Sequence, residues 1–308
     1  MSTHAESLTA LGLRSHRRRY GEAVVKVLLG ICALISVLTT VGIVAALFIP
    51  AFEFFQDVSI LDFLTGTEWA PLFEPAFFGV VPLVVGTLSV TFWAVLVAIP
   101  LGLGGAIYLS EYASSRMRRL LKPLLELLAG IPTIVFGYFA LTFFTPLLRD
   151  IGIEVDVFNA LSAGLVMGVM IIPTVASLSE DAMAAVPRDL RDGAFALGSS
   201  RMQVATRIVV PAATSGIVAA FVLGISRAVG ETMIALVAGG LQPNLTFDPR
   251  QAIETMAAFI AATGNGDVPT GSLEYKTIFA VGATLFVMTF ALNVVAIRLV
   301  QRFREEYE

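Results

Sequence analysis

Long stretches without a charged residue constrain the fold of this 308-residue chain more than any other feature. Six long runs contain no Asp, Glu, Lys or Arg: 27–52, 75–110, 127–148, 157–179, 208–226 and 277–297. A helix needs about 20 apolar residues to cross the hydrocarbon core of a bilayer. Open strands leave backbone groups unpaired in lipid, and the runs lack the alternating pattern of a β-barrel. The sequence therefore predicts an all-α membrane protein.

Six membrane-spanning helices follow from these runs. Their predicted bounds are Val24–Ile49, Gly86–Leu109, Leu124–Leu148, Phe158–Ser179, Thr214–Gly239 and Thr277–Val300. Composition agrees, because 14% of the residues are charged, whereas soluble domains carry about 25% to cover their cores. Glycines and prolines within the predicted spans, including Pro100, Pro132 and Pro173, permit close helix packing or a local bend in a membrane.

The basic residues predict the orientation of the chain. Of the 20 Lys and Arg residues, 16 lie before or at the start of the first span, after the second and fourth spans, or at and beyond the end of the sixth. By the positive-inside rule, both termini are cytoplasmic. The connection 50–80 carries five acidic and no basic residues, which fits an external loop. The predicted divisions are a cytoplasmic tail (1–23), the first span with its acidic loop (24–80), a transport module (81–302) and a second cytoplasmic tail (303–308).

Several classes of site and partner are excluded by composition. A formal net charge of −4 argues against nucleic acid as a partner. The single cysteine, Cys32, lies in an apolar run, so the sequence predicts no disulfide framework and no cysteine metal site. His4 and His16 lie in the polar N-terminal tail and are expected to be solvated. We predict neither a metal nor a cofactor.

The sequence also lacks a phosphate-binding loop for ATP. The three lysines follow non-glycine residues and cannot form the G-K-[ST] pattern: Lys26, Lys122 and Lys276. We therefore predict a non-enzymatic chain whose energy comes from a partner subunit or an ion gradient.

The connection Glu180–Ala213 is unusually long for a bundle of spanning helices. One amphipathic helix is predicted to begin at Pro187 and stop at Gly198, because proline favours the first helical position and glycine the residue after a helix. Ser199 or Ser200 would cap a second helix that ends before Pro211. Such a helix pair is either a docking surface for a partner or an element resting on the membrane interface.

This connection resembles the EAA loop of ABC-importer permeases, in which E-A-A is followed by three residues, Gly, nine residues, Ile, one residue, Leu and Pro. All spacings match, with Asp192 replacing Glu, Gly193 replacing the first Ala and Val210 replacing Leu. Gly193 lowers helix propensity by about 1 kcal/mol relative to Ala. The resemblance implies a coupling helix that sits in a groove of an ATPase subunit. The residues it carries over are Asp192, Gly193, Ala194, Gly198, Ile208 and Pro211.

The predicted fifth span contains a charged pair, Arg227 and Glu231. A charge at the centre of a spanning helix costs about 3 kcal/mol on insertion scales, and such charges commonly face a pathway. The two residues are four positions apart, so a continuous helix would bring their side chains together on one face. Arginine presents a planar fork suited to an oxyanion. The pair therefore indicates an anion path in which Arg227 supplies a counter-charge and Glu231 holds it when the path is empty. The alternative is an ion pair that only stabilises the bundle.

The segment R-A-V-G-E-T-M from Arg227 resembles the PstC subunit of bacterial phosphate ABC importers, as do T-G-T-E-W from Thr65 and F-G-V-V-P-L from Phe78. The resemblance covers the chain from span one to span six. It implies the type I ABC importer permease fold, a PstA-like second permease, a PstB-like ATPase dimer and a PstS-like external phosphate-binding protein. It also implies that Arg227 and Glu231 serve phosphate passage.

Other functions stay open at this stage. A secondary anion transporter would use the same charged pair but leaves the Glu180–Ala213 connection unexplained. An ABC permease for another oxyanion, such as sulfate, fits the residues equally well on physical grounds. A membrane-embedded enzyme would require a cluster of His, Asp or Glu within the spans. The external stretch Asp248–Thr263 is predicted to be a short helix that either packs on the bundle or receives the binding protein.

Overall fold

The computed structural model describes residues 20–302, and helices dominate it. The chain divides into two units, one ending at Leu47 and the other beginning at Phe48. The predicted tails, with His4 and His16, lie outside the described residues except for 20–23, where the first helix begins. The helices are α1 (Tyr20–Asp57), α2 (Ile60–Thr65), α3 (Val81–Ile107), α4 (Ser115–Ala129), α5 (Thr133–Phe139), α6 (Thr145–Asp150), α7 (Ala160–Ala184), α8 (Arg188–Ala196), α9 (Arg201–Val204), α10 (Val210–Ala212), α11 (Thr214–Val229), α12 (Met256–Gly264) and α13 (Leu273–Arg302).

Wider π-helical turns extend several of these helices. They are Tyr108–Tyr112, Ala140–Phe144, Ala205–Val209 and Ala235–Gly239. The described chain also contains one antiparallel pair of two-residue strands, β1 (Trp69–Ala70) and β2 (Phe77–Phe78), which the sequence did not predict.

Four single helices are long and apolar enough to cross a membrane. They belong to α1, α3, α7 and α13, and two bent helix pairs raise the number of spans to as many as six. The four correspond to the first, second, fourth and sixth predicted spans. Helices α1 and α13 extend beyond their predicted bounds at both ends, and α3 begins early, at Val81, and continues into the π-helical turn Tyr108–Tyr112. Helix α7 begins later than predicted, at Ala160, because Asn159 caps it, and it continues past the predicted end to Ala184.

The third predicted span, Leu124–Leu148, is not one straight helix. The chain breaks between α4 and the segment Thr133–Asp150, which meet at an angle of 86°. Gly130 follows the last turn of α4, and Pro132 disfavours a helical conformation at the preceding residue. The predicted start of this span was therefore wrong. Residues Leu124–Ala129 belong to α4, an amphipathic helix rich in basic residues.

The fifth predicted span, Thr214–Gly239, is also broken. Helix α11 ends at Val229, residues 230–232 are not helical, and a short helical segment resumes at Met233. Before this span, the 74° bend between Arg201–Ala212 and Thr214–Val229 separates it from the Glu180–Ala213 connection.

The core lies between α3 and α7, which pack along most of their lengths. Val90, Ala94 and Ala98 of α3 are buried against Met167, Met170 and Ile171 of α7. Glycine permits this close approach, because a Cβ built on Gly168 would lie 2.7 Å from the Ala94 carbonyl oxygen and 2.7 Å from Val97 Cβ. The two helices therefore form a closely packed pair in the middle of the second unit.

One end of the second unit carries α4, α8 and α9, and we call it the basic end. The other carries α2, the β1–β2 pair and α12, and we call it the acidic end. An aromatic cluster organises the acidic end, with Phe54 and Trp69 buried against Phe63 and Phe259 respectively. The predicted external helix at Asp248–Thr263 begins later than expected, because Thr255 caps α12 through the Ala258 N–H. Residues 252–259 are buried, so packing on the bundle is confirmed.

Candidate functional site

The connection between α7 and α11 forms the helix pair that the sequence predicts. Helix α8 follows Pro187, and Gly198 terminates it with a φ of +83°, a conformation that favours glycine. Ser200 caps α9 in a capping box with Gln203, in which each side chain accepts a hydrogen bond from the other residue's backbone N–H. The predicted end before Pro211 was wrong, because Pro211 lies in the first turn of α10, where its missing N–H is not needed.

One face of this helix pair is buried at the basic end. Ala194 and Val204 lie in an apolar cluster with Ala106 of α3 and Met183 of α7, and Ile208 packs on its edge. The opposite face is open: Leu197 is 89% exposed, Met202 68% and Phe195 42%. Asp192, Gly193, Gly198 and Pro211 are exposed as well. These exposed apolar residues beside charged ones are available for contact with a partner or with the membrane interface.

Arg191 fixes α8 to the ends of α3 and α7. Its guanidinium donates hydrogen bonds to the carbonyl oxygens of Val186 and Met183, each at 2.7 Å. It also pairs with Glu111, with 3.3 Å between Nη2 and Oε1, and both side chains are largely buried. Because Glu111 lies in the π-helical turn that ends α3, this contact joins α8 to the end of α3.

A second group of charges joins α4 to α3 and α7. Lys122 Nζ lies 2.7 Å from Glu180 Oε2 and 2.8 Å from Asp181 Oδ1. Arg118 donates to the carbonyl oxygens of Leu109 and Ser110 at the end of α3. A cation at a helix C-terminus interacts favourably with the helix dipole. These contacts fasten α4 to the framework on which α8 rests.

Arg227 and Glu231 do not form the ion pair expected from their spacing. Within residues 20–302, the nearest polar partner of Arg227 is the Thr174 hydroxyl of α7, at 3.1 Å from Nη1. The Glu231 carboxylate accepts hydrogen bonds from the backbone N–H groups of Met233 and Ile234, at 3.1 and 3.4 Å. The helix ends between the two residues, so the one-turn geometry of a continuous helix does not apply.

The break stabilises each of the two charges separately. Arg227 lies in the last turn of α11, where the helix dipole favours a cation. Glu231 lies at the start of the next helical segment, where free N–H groups favour an anion. Both side chains are half-buried. Arg227 therefore keeps guanidinium donors that no carboxylate of the described chain occupies.

The sequence matches the family described as "Binding-protein-dependent transport system inner membrane component" over residues 98–305, about two thirds of the chain. The chain belongs to this family. It is 36% identical over 84% of its length, and 84% of the relative, to the probable ABC transporter permease protein YqgH of Bacillus subtilis. It is 34% identical over 79% of its length, and 82% of the relative, to the phosphate transport system permease protein PstC 1 of Mycobacterium tuberculosis.

Solved structures give the same fold for this inner-membrane component. A chain of a bacterial alginate ABC transporter aligns with a TM-score of 0.64 at 15% identity, covering 92% of this chain and 98% of that one. A chain of the MetNI methionine ABC transporter aligns with a TM-score of 0.55 at 18% identity, covering 74% and 95%. The type I ABC importer permease fold is therefore confirmed, as are the multi-pass inner-membrane location and the transport class of the family.

Sequence reasoning missed the polar contacts that position Arg227 and the helix pair of α8 and α9 in this inner-membrane component. Thr174 gave no signal, because threonine is common in spanning helices. Glu180 was assigned to the connection, yet it lies in the last turns of α7 and is 3% exposed. Its partner Lys122 is 58 positions away, a separation at which no local pattern predicts contact.

Proposed function

We propose that this chain is the membrane-spanning permease subunit of an ATP-driven importer of inorganic phosphate. Relatives named phosphate transport system permease PstC, at 30–34% identity over more than three quarters of the chain, support this substrate. The observation that carries the proposal is Arg227, a half-buried cation in α11 whose described partner is a neutral hydroxyl.

Other basic residues towards the acidic end support the choice of Arg227. Arg250 pairs with Asp248 at 2.7 Å, and Lys276 pairs with Glu53 at 3.0 Å. Arg149 donates two hydrogen bonds to the Val155 carbonyl oxygen. Among these described cations, Arg227 is the one that a carboxylate or carbonyl has not engaged. A phosphate dianion would match the planar donors of its guanidinium.

The broken helix suits a substrate that must also leave. Transporters commonly place discontinuous helices at their binding sites, where helix ends and unwound backbone face the solute. We propose that Arg227 attracts the anion partway along the path. The negative charge of the Glu231 carboxylate weakens anion binding there, so that the anion can leave. Thr174 orients the guanidinium while the path is empty. The anion then passes between neutral and charged contacts without a permanent ion pair having to break.

ATP hydrolysis is proposed to take place on a separate, PstB-like subunit dimer that docks on α8 and α9. The open face with Phe195, Leu197 and Met202 supplies apolar contact, and Asp192 adds a charge at its edge. Gly193, Ala194, Gly198, Ile208 and Pro211 shape the loop and its packing. The pairing of Arg191 with Glu111 supports a role in passing ATPase movements to α3.

The proposed orientation places the basic end in the cytoplasm, with both tails (1–23 and 303–308), and the acidic end outside. The basic residues of α4, α8 and α9 support it through the positive-inside rule. A PstA-like permease would complete the path along the transport module (81–302), and a PstS-like phosphate-binding protein would dock at the acidic end. The alginate transporter chain similar to this one was solved with a periplasmic protein, which supports such a partner.

Labelled-phosphate uptake in cells carrying Arg227→Ala tests the proposal. We expect uptake to be lost while the membrane level of the chain and the co-purified ATPase stay at native values. Thr174→Val is the matched control, since it removes the hydrogen bond but keeps the cation, and we expect it to retain most uptake. Full uptake by Arg227→Ala would refute the anion path, and loss of the assembled complex would assign Arg227 to packing instead.

Two further measurements separate the alternatives. Purified chain in liposomes with an ion gradient, but without ATPase, should not transport; transport there would identify a secondary carrier. Unlabelled phosphate in excess should abolish uptake by the native complex, and equal sulfate should not. Competition by sulfate instead would identify a permease for that oxyanion.

A further inference from the structure

A cavity of about 320 Å³ at the acidic end is separate from Arg227, Glu231 and the coupling loop. Trp69, Leu241 and Phe259 contribute apolar walls, and Glu254 and Thr263 contribute polar groups. The indole Nε1 of Trp69 is buried and has no hydrogen-bond partner. Unpaired polar groups in a buried site are costly unless the site serves a further interaction.

Glu254 is the unusual residue of this cavity. The residue is 6% exposed, yet within residues 20–302 its carboxyl group has neither an ion pair nor a hydrogen bond. Burial raises the pKa of Glu254 from 4.5 to about 7. A buried carboxyl group without a partner favours its neutral form, because the charged form loses its hydration.

The elements around Glu254 offer no cation that would hold a carboxylate in place. Helices α3 and α12 contain no charged residue, and neither does the segment 235–247. Asp267, from the loop after α12, lines the cavity but is exposed. Glu68 and Glu74 flank β1 and are exposed to solvent. On the segment of Glu254 itself, Arg250 pairs with Asp248, and on α13, which packs against α12, Lys276 pairs with Glu53. Among the described residues, no cation pairs with Glu254 to stabilise its ionised form.

The backbone around Glu254 joins two elements of the transport framework. The Glu254 carbonyl abuts Gly86 of α3 so closely that a Cβ at that position would overlap it. Met256 N–H donates to the Thr87 hydroxyl of α3 at 3.0 Å. Ile253 N–H donates to the Gly239 carbonyl at 3.0 Å, at the end of the helical segment that Glu231 caps. The Glu254 segment thus bridges the start of α3 and the broken fifth span.

We propose that Glu254 is a proton-binding site whose neutral form keeps the segment Ile253–Met256 closed against α3, and whose ionised form releases that segment into water. The ligand is a proton from the solution at the acidic end. The step moves one proton from the carboxyl group to water and leaves a carboxylate that gains hydration when the segment opens.

The direction of the pH effect follows from the two states. A released, hydrated Glu254 has an ordinary pKa near 4.5, and the buried group has a pKa of about 7. Below pH 4.5 both states hold the proton, so closure is at its strongest. Between these values opening releases a proton, and each pH unit shifts the equilibrium towards the open state by up to about tenfold. Above about pH 7 both states are ionised and the equilibrium no longer changes.

Thiol labelling of the assembled transporter in membrane fragments tests this site. The native thiol is removed by Cys32→Ser, and Thr263→Cys places a thiol in the buried wall of the cavity. Thr270→Cys, in the exposed loop before α13, reports the ordinary pH dependence of thiol reactivity. The ratio of the two labelling rates then follows opening, with the general pH dependence of thiol reactivity removed. This ratio does not depend on which solute is transported or on the orientation of the chain.

We expect the ratio to rise with pH between 4.5 and 7 and then to level off. Glu254→Gln should make the ratio constant, whereas Asp267→Asn should leave its rise intact. A constant ratio in the native background would overturn the proposal, even if Glu254→Gln failed to assemble. A pH-dependent ratio that persists in Glu254→Gln, or that disappears in Asp267→Asn, would also overturn it.

Discussion

Lys122 contacts two carboxylates at nearly equal distances, and this allows burial to be tested separately from geometry. Its Nζ lies 2.7 Å from Glu180 and 2.8 Å from Asp181. The Glu180 side chain is 3% exposed and that of Asp181 is 57% exposed. We predict that Lys122 stabilises the fold mainly through Glu180, because water screens the exposed pair and not the buried one.

The expected magnitudes follow from these exposures. Removing one partner of a fully buried ion pair costs about 3–5 kcal/mol. Lys122 is 33% exposed and Arg118 lies 3.9 Å from Glu180, so part of that cost is relieved by water and by the second cation. We therefore expect a coupling energy of about 1–3 kcal/mol for the pair of Lys122 with Glu180. Surface ion pairs contribute about 0.2–1 kcal/mol, and we expect the coupling energy of Lys122 with Asp181 to lie at the lower limit of that range.

Two double-mutant cycles measure these energies from the free energy of unfolding in detergent micelles. One combines Lys122→Met with Glu180→Gln, and the other combines Lys122→Met with Asp181→Asn. Raising the salt concentration should reduce the coupling to Asp181 more than the coupling to Glu180. Equal coupling energies in the two cycles would refute the argument, because burial would then have no influence on the strength of the contact.

Four other substitutions have definite expected results. Arg191→Met should destabilise the fold by about 3 kcal/mol, since it leaves Glu111 buried without its cation. The same substitution should reduce the amount of phosphate taken up per ATP hydrolysed. An unchanged ratio of uptake to ATP hydrolysis would contradict the proposed role of Arg191. Gly198→Ala should lower the free energy of unfolding by about 1–2 kcal/mol, because Gly198 has a φ of +83°. Gly193→Ala should stabilise α8 by about 1 kcal/mol, because a Cβ at position 193 meets no neighbouring atom. Thermal unfolding of the two variants measures both effects. Gly168→Leu should prevent α3 and α7 from packing and abolish folded protein in the membrane, and a native yield would disprove that close contact.

The spanning helices were predictable because their cause is a property of whole segments. A run of about 20 residues without charge is readily recognised in the sequence, and in lipid such a run without barrel-like alternation is stable as a helix. The breaks depend on one or two residues instead. Gly130 and Pro132 end α4, yet glycine and proline elsewhere in the spans, such as Gly102 and Pro100, leave α3 unbroken. Glycine and proline alone therefore do not predict where a spanning helix breaks, because the outcome depends on the residues that pack against them.

The limits of α8 and the start of α9 in the loop after α7 were predicted from the sequence, because their determinants are local, although the predicted end before Pro211 was wrong. Pro187 and Gly198 limit α8 through their own backbone preferences, and Ser200 caps α9 through a side chain three residues from its partner. The contacts that position the loop are not local. The bond between Arg191 and Glu111 joins residues 80 positions apart, and tertiary packing alone brings them together.

The separation of Arg227 from Glu231 changes the electrostatic argument for transport. A continuous helix would have created a direct ion pair, and an entering anion would have had to compete with Glu231 for the guanidinium. In the broken helix, the Glu231 carboxylate is held by two backbone N–H groups, and Arg227 is held by a neutral hydroxyl. The helix ends stabilise both charges within the membrane without using one to neutralise the other. In the proposed path, Arg227 thus remains available to attract an anion, because no carboxylate of the described chain pairs with it.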